Sequence, residues 1–159
     1  DFALVLAPHE IHEEHLRAIE SGIKRPSIRL SEYDEAKGLP EGTACIIIDC
    51  FGLLSSVYRY GTWAYVGGGF GKSVHNTLEA AVYGIPVFFG PEIHKHREVR
   101  ELVKRSSGFI LHDRAELSQL LQRFSSEEEC KALEARTRAY FREECGATAA
   151  ILGDILPSE

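Results

Sequence analysis

The segment TWAYVGGGFGKSVHNTLEAAVYGIPVFFGP, residues 62–91, places two apolar runs on either side of a glycine-rich stretch. The runs Thr62–Val66 and Pro86–Phe89 predict two buried strands. Between them, Gly67–Lys72 predicts a tight turn, and a helix capped by Ser73 is expected to follow. A strand, a turn, a helix and a second strand in this order predict a parallel β–α–β unit.

The same alternation continues through the rest of the chain, which predicts an α/β fold: a Rossmann-like parallel sheet with helices on both faces. The polar segment Tyr33–Gly42 contains glycine and proline and is predicted to be a loop. Because the chain opens directly on a predicted core strand, we expect it to be one domain of a longer protein. Further strands are predicted over Phe2–Ala7, Ser27–Leu30, Ala44–Ile48 and Phe109–Leu111, and helices over 10–23, 52–60, 73–83, 95–105, 114–124, 126–144 and 147–156.

The composition bounds the possible functions. The chain has 159 residues, with 18 Lys and Arg against 24 Asp and Glu, giving a formal net charge of −6, which argues against nucleic-acid binding. This length suits one domain, and 44% hydrophobic residues exclude a disordered chain. No apolar run approaches the roughly 20 residues that span a bilayer, and no signal peptide is recognisable, so the chain itself is expected to be soluble. Four cysteines without C-x-x-C spacing are expected to be reduced thiols in a cytosolic protein.

The centre of the chain is poor in charge and rich in glycine. Residues 45–91 carry two acidic and two basic side chains, so this stretch is expected to be buried or to line a pocket. Glycines let backbone N–H groups approach an anion closely, which makes the turn after Val66 a candidate phosphate site. The candidate ligands are Gly67, Gly68, Gly69, Gly71, Lys72 and Ser73.

Two standard phosphate motifs fail in this turn by one position each. A P-loop would need glycine where Val66 stands, and a dinucleotide-binding fingerprint would need glycine at Lys72. A tight turn without a ligand is therefore the alternative interpretation.

Beyond the turn, Asn76 and Glu79 are three residues apart and would share one helix face. A carboxylate there suits the two hydroxyls of a ribose, although Glu79 could equally be a surface residue.

Three blocks of this region together resemble one protein family. Val66–Gly69 (VGGG), His75–Ala81 (HNTLEAA) and Gly84–Pro91 (GIPVFFGP) resemble the donor-binding domain of bacterial 3-deoxy-D-manno-octulosonic acid (Kdo) transferases, which are GT-B glycosyltransferases. The resemblance implies that residues 1–159 are the C-terminal nucleotide-sugar domain, one half of a GT-B fold. It also implies that the glycine turn meets the phosphate of CMP-Kdo and that Asn76 and Glu79 hold the nucleotide.

The resemblance further implies a role for the start of the chain. Many relatives carry a basic residue near the nucleotide, shortly after an Ala-Pro pair that ends the first strand. Here Ala7 and Pro8 are followed by His9 and Glu10, so the contact is made by His9 or is absent.

The full enzyme that the resemblance implies would move Kdo from CMP-Kdo to a lipid A precursor in lipopolysaccharide biosynthesis. It would act at the cytoplasmic face of the bacterial inner membrane. The acceptor-binding N-terminal domain, the catalytic carboxylate and the membrane contact would all lie outside this chain, which is expected to bind the donor without catalysing transfer. No cofactor and no metal is expected. The alternatives are another GT-B donor domain, a nicotinamide-type Rossmann enzyme and a non-enzymatic nucleotide-binding module.

Other polar or aromatic residues have simpler interpretations. His9, His12 and His15 do not match a zinc motif, and the last two are expected on a solvated helix face. The run His94–Arg97 is either a charged surface or electrostatic help for an anionic donor. Asp49 follows a predicted strand and could contact the nucleotide base or a loop, or act as a plain backbone cap. Trp63 is expected in the core.

Overall fold

The computed structural model describes residues 3–155, and at positions 147–150 it describes the backbone alone. The chain divides after Ser56 into two compact units, each with its own three-stranded sheet. The strands are β1 Leu4–Leu6, β2 Ser27–Arg29, β3 Cys45–Ile47, β4 Ala64–Tyr65, β5 Val87–Phe89 and β6 Gly108–Ile110. The helices are α1 Glu13–Gly22, α2 Leu54–Val57, α3 Leu78–Ala81, α4 Arg97–Lys104, α5 Arg114–Arg123, α6 Glu127–Glu144 and α7 Ala147–Ile155.

The first unit is built around β3. This strand lies between β1 and β2 and is parallel to both, so that Cys45 pairs with Leu4 on one side and Ser27 on the other. Helix α1 contributes Leu16 to a small core with Cys45 and Ile47. Both neighbours of β3 come from earlier in the chain, and these parallel pairings need the crossover connections that α1 and the loop before β3 supply.

An ion-pair network joins α1 to β2 in the first unit. The Arg29 guanidinium is 13% exposed and donates from Nη1 to Glu13 Oε2 at 2.6 Å. It also donates from Nε and Nη2 to the two carboxylate oxygens of Glu20, at 2.7 and 2.9 Å, in a bidentate arrangement. The hydrogen bonds from Arg29, and secondarily from Arg17, lower the pKa of Glu13 from 4.5 to about 2.

This network predicts that the chain loses stability in acid. Because the pKa of Glu13 is lower in the folded state, its stabilising effect is complete above about pH 4.5 and disappears as the pH falls towards 2. We therefore expect the urea midpoint of an Arg29→Met variant to lie below that of the wild type at pH 7 and to converge with it near pH 2. A difference that stays constant across this range would contradict a role for the ion pairs.

In the second unit, helices cover both faces of the sheet. The strand order is β4-β5-β6 and all pairings are parallel. Val87 and Phe89 of β5 pack into a cluster with residues of α3 and α4, among them Ala80 and Leu102. Phe88 points the other way, into a cluster with α5 and α6 that includes Leu133. This alternation explains why β5 is apolar at every position, since a strand buried on both faces has no polar side.

Trp63 belongs to the second of these clusters. Its ring centroid lies 6.1 Å from that of Phe88, which is fully buried. Phe109 and Phe124 extend the same aromatic group, with ring centroids 5.0 Å apart. Trp63 itself is half-buried, so it packs against the core as predicted but lies at its edge.

The α/β Rossmann-like prediction is confirmed, and most predicted elements are present. Strands β1 to β5 are shorter than predicted, whereas β6 has the predicted length but begins one residue earlier. Ser126 caps α6 as the sequence indicates, because its hydroxyl accepts a hydrogen bond from the Glu129 N–H. The predicted helix over 52–60 is only the four-residue α2, followed by a 3-10 turn over Tyr58–Tyr60. Phe2 and Leu156, the outer ends of the first predicted strand and the last predicted helix, lie outside the described residues. Among residues 3–155, no helix has both the length and the apolar character needed to cross a bilayer.

Candidate functional site

The glycine loop, residues Gly67–Ser73 after β4, is held in place by backbone hydrogen bonds. Its carbonyl at Gly67 accepts a hydrogen bond from the His75 N–H at 3.0 Å, and the Gly69 N–H donates to the Lys72 carbonyl at 2.6 Å. The Gly69 carbonyl in turn accepts from the Glu92 N–H at 2.9 Å, which ties the loop to the segment after β5. The loop is thus held at the carboxyl ends of β4 and β5, the edge where parallel α/β sheets bind ligands.

Close backbone packing explains why glycine stands at position 69. Its φ of +81° lies in the left-handed region, and a Cβ there would come within 2.7 Å of the Gly90 Cα and carbonyl carbon. A Cβ on Gly90 would meet the Gly69 carbonyl carbon at 2.6 Å, so the requirement is mutual. Gly71 also has a positive φ, +76°, but a Cβ there would meet open space. Gly90 was not among the predicted site residues, although it lies in the GIPVFFGP block.

The outer part of the loop presents hydrogen-bond donors. The N–H groups of Phe70, Gly71, Lys72 and Ser73 donate to no backbone carbonyl within the described part of the chain. The Lys72 side chain is exposed beside them and adds positive charge. Consecutive unengaged N–H groups next to a cation form an arrangement that can bind a phosphate. A binding role for the predicted ligands remains a prediction.

The prediction that Ser73 caps a helix over 73–83 is wrong. Residues 73–77 form no regular structure, and α3 covers only Leu78–Ala81. Two hydrogen bonds account for the difference: the His75 N–H is taken by the Gly67 carbonyl, and the Leu78 N–H donates to Asn76 Oδ1 at 3.1 Å. Both amides are thereby engaged outside a helical ladder. A helix dipole at Ser73 consequently makes no contribution to anion binding, which depends on the loop amides and Lys72.

Asn76 and Glu79 are brought together, as predicted, although Asn76 precedes the helix. The Asn76 amide donates from Nδ2 to Glu79 Oε1 at 2.9 Å. Glu79 is half-buried, and the pKa of the nearby Tyr58 is raised, mainly by burial and additionally by the negative charge of Glu79. One carboxylate oxygen of Glu79 therefore accepts a hydrogen bond from the Asn76 amide, and the Asn76 side-chain oxygen accepts one from the Leu78 N–H. A contact of Glu79 with a ribose remains a prediction.

Ser73 and the His94–Arg97 segment meet at the loop. The Ser73 hydroxyl lies 2.5 Å from His96 Nε2, and the other ring nitrogen of His96 lies 3.2 Å from Glu98 Oε1. Arg97 points to α6, where it pairs with Glu144 at 3.6 Å. Of this segment, His96 is thus the side chain that contacts the candidate phosphate site, and the sequence pattern did not distinguish it from its neighbours.

His9 and Asp49 lie in the first unit. His9 is exposed after β1, and its proposed nucleotide contact remains a prediction. Asp49 accepts hydrogen bonds from the Ser31 hydroxyl and, at 3.0 Å, from the Ser31 N–H. Burial acts to raise the pKa of Asp49, but these hydrogen bonds bring it below its ordinary value. Of the alternatives for Asp49, the structure supports a contact that secures a loop.

Of the two histidines expected on a solvated helix face, His12 is exposed, whereas His15 is partly buried. His12 caps α1 by accepting a hydrogen bond from the His15 N–H at 3.2 Å. Within residues 3–155, no group of three or more His, Cys, Asp or Glu side chains is placed to hold a metal ion. The four cysteines, Cys45, Cys50, Cys130 and Cys145, are free thiols.

Comparison with known proteins shows which proteins this chain resembles. No protein-family model matches the chain. A 3-deoxy-D-manno-octulosonic acid transferase of Aquifex aeolicus (strain VF5) is 33% identical over 134 residues, which cover 82% of this chain and 36% of the relative. The protein of the same name from Chlamydia muridarum (strain MoPn / Nigg) is 25% identical over 154 residues, which cover 92% of this chain and 34% of that relative. The chain therefore spans about a third of the length of the curated relatives it matches.

A solved structure confirms the fold. The crystal structure of the C-terminal CMP-Kdo binding domain of WaaA from Acinetobacter baumannii matches with a TM-score of 0.73 and 20% identity, over 86% of this chain and 72% of that one. On this sequence similarity and this shared fold, the chain is a relative of the 3-deoxy-D-manno-octulosonic acid transferases, corresponds to about a third of their length and has the fold of the C-terminal domain of WaaA.

Proposed function

We propose that this chain is the donor-binding domain of a Kdo transferase and binds the nucleotide of CMP-Kdo at the glycine loop. The observation that carries the proposal is the loop itself: its inner glycine is packed against Gly90, while the N–H groups of residues 70–73 remain available. The relatives named above are Kdo transferases, and the matched solved domain is described as binding CMP-Kdo. Residues 1–159 would then be the C-terminal domain, with the acceptor domain in another part of the protein.

We assign the site residues to different parts of the CMP-Kdo donor. Gly67, Gly68, Gly69 and Gly71 shape the loop, Lys72 and Ser73 add a charge and a hydroxyl for the phosphate, and Asn76 and Glu79 lie on the ribose side. His9 is retained as a proposed nucleotide contact. When Kdo leaves, negative charge develops on the CMP phosphate, and N–H donors and a lysine fixed in advance stabilise such a charge.

We assign activation of the acceptor hydroxyl to the proposed acceptor domain. Attack on Kdo requires a general base that accepts the proton of the acceptor hydroxyl. We place this base, a carboxylate, in the acceptor domain, together with the lipid A precursor and the contact with the cytoplasmic face of the inner membrane. The proposed division is therefore leaving-group stabilisation by this chain and acceptor activation by the remainder.

Calorimetric titration with CMP, UMP and NAD tests the donor assignment. We expect CMP to bind most tightly, with a dissociation constant around millimolar because contacts from the remainder of the protein are missing. UMP differs from CMP only in the base and thus controls for general phosphate binding. Equal heats for all three ligands would contradict the cytidine assignment, and preference for NAD would favour the oxidoreductase alternative.

Replacing Glu79 with glutamine tests the ribose contact. The variant keeps the size of the side chain and an oxygen for Asn76 but loses the negative charge. We expect CMP to bind about tenfold to a hundredfold more weakly, because a hydrogen bond to a charged group contributes about 1.5–3 kcal/mol. The matched control is Glu127→Gln on the surface of α6, which is expected to leave CMP binding unchanged. A large fall in melting temperature for Glu79→Gln would instead show that this residue is structural.

A further inference from the structure

A hydrogen-bonded chain of three side chains ends at the candidate phosphate site. Ser73 Oγ lies 2.5 Å from His96 Nε2, and His96 Nδ1 lies 3.2 Å from Glu98 Oε1. Ser73 is exposed on the loop beside the available N–H groups, whereas the His96 and Glu98 side chains are partly buried, at 30% and 39% exposure. The exposed end of the chain thus faces solvent, and its other two members are supported by α4.

The direction of each hydrogen bond follows from the chemistry of the groups. A carboxylate can only accept, so the proton between Glu98 and His96 belongs to His96 Nδ1. In the neutral imidazole, Nε2 then has a lone pair, and the Ser73 hydroxyl donates to it. In the imidazolium, Nε2 carries a proton, and Ser73 becomes the acceptor. Only in this second state is the Ser73 proton free to be donated to another group.

We propose that the Ser73 hydroxyl donates a hydrogen bond to the phosphodiester of the nucleotide sugar only when His96 is protonated. Binding of the phosphodiester would then be coupled to the uptake of a proton. His96 acts as a positioning residue, and Glu98 fixes its tautomer. This inference rests on the proposed function, because it takes the ligand of the loop to be the phosphodiester of a nucleotide sugar. Imidazole is the side-chain group whose charge ordinarily changes between about pH 5 and 8, so the test covers this range.

The charges around His96 agree with this coupling. On its own element, Glu98 is the direct partner, and Arg97 is paired with Glu144 of α6. Arg100 donates to the His94 carbonyl at 2.6 Å. From α6, Tyr140 is close enough that Glu98 and Glu144 help to raise its pKa, although burial is the main cause. From the loop, Lys72 adjoins Ser73. A bound phosphodiester would bring a negative charge to the loop beside Lys72 and Ser73.

The test uses cytidine 5′-methylphosphate, a phosphodiester that, unlike CMP, does not itself titrate near neutral pH. Calorimetry at pH 6–8.5 in two buffers with different ionisation enthalpies measures both the affinity and the number of protons taken up. We expect uptake that rises with pH towards one proton per ligand, and an affinity that falls by up to about tenfold per pH unit at the alkaline end.

Two variants locate the effect, and a third controls for it. His96→Gln and Ser73→Ala are each expected to remove proton uptake and to give an affinity that no longer changes with pH, whereas His94→Gln, at an exposed neighbouring histidine, retains both. Proton uptake that persists in His96→Gln and in Ser73→Ala would overturn the inference while leaving the proposed function in place. Failure of the wild type to bind the probe at any pH would overturn the proposed function and this inference together.

Discussion

Gly69→Ala is expected to lower the free energy of unfolding of the second unit by about 2–5 kcal/mol and to abolish nucleotide binding. The left-handed backbone conformation of Gly69 costs an alanine about 1–2 kcal/mol. The added methyl group would also lie 2.7 Å from two atoms of Gly90, and relieving such overlap costs typically about 1–3 kcal/mol more. Urea unfolding followed by Trp63 fluorescence measures the stability, and calorimetry with CMP measures the binding.

Gly71→Ala is the matched control for this experiment. Gly71 has almost the same φ, but a methyl group there meets nothing within 4 Å. We expect it to lose only about 1–2 kcal/mol, the cost of the backbone conformation. If the two variants were equally destabilised, the close approach of Gly69 to Gly90 would not be what fixes the loop.

The isolated chain is expected to transfer no Kdo from CMP-Kdo to a lipid A precursor, whereas a protein that also contains the proposed acceptor domain is expected to do so. A missing general base costs on the order of 10²–10⁴-fold in rate, and the loss of the acceptor site removes the advantage of proximity as well. Within this chain, the Asp49 carboxylate is occupied by two hydrogen bonds from Ser31, which makes it a poor base. Incorporation of radiolabelled Kdo into the lipid measures the transfer.

One result would reverse this assignment. Turnover by the isolated chain that is lost in Asp49→Asn would show that the catalytic base lies within these residues. The matched control is Asp34→Asn, which alters an exposed pair with Lys37 in the same unit. Loss of turnover in both variants would indicate general damage to the first unit.

The order and type of the elements could be predicted from the sequence because strongly apolar runs are separated by strong turn signals. β5 is the clearest case, since Val87, Phe88 and Phe89 are all buried and Pro86 and Gly90 border them. The lengths were less predictable. Strand β4 covers only Ala64 and Tyr65, although the Val66 N–H still donates to the Phe88 carbonyl at 2.8 Å, and a local apolar pattern contains no information about where pairing stops.

The candidate site was predictable in its parts and not in its connections. The glycine run and the Asn76–Glu79 pair are visible in the sequence, because each depends on neighbouring residues. The failed helix at Ser73 shows the limit: a serine before an apolar stretch predicts a cap, but the Gly67 carbonyl competes for the His75 N–H. His96 lies 23 residues from Ser73, and only the fold brings the two within hydrogen-bonding distance.

The position of the single tryptophan gives the two units separate spectroscopic signals. Trp63 lies in the second unit against Phe88, and the first unit contains no tryptophan. Its emission therefore reports the unfolding of the second unit alone, whereas far-ultraviolet circular dichroism reports both. Coincident transitions would mean that the chain unfolds cooperatively, while a dichroism change that precedes the fluorescence change would identify the first unit as the less stable half.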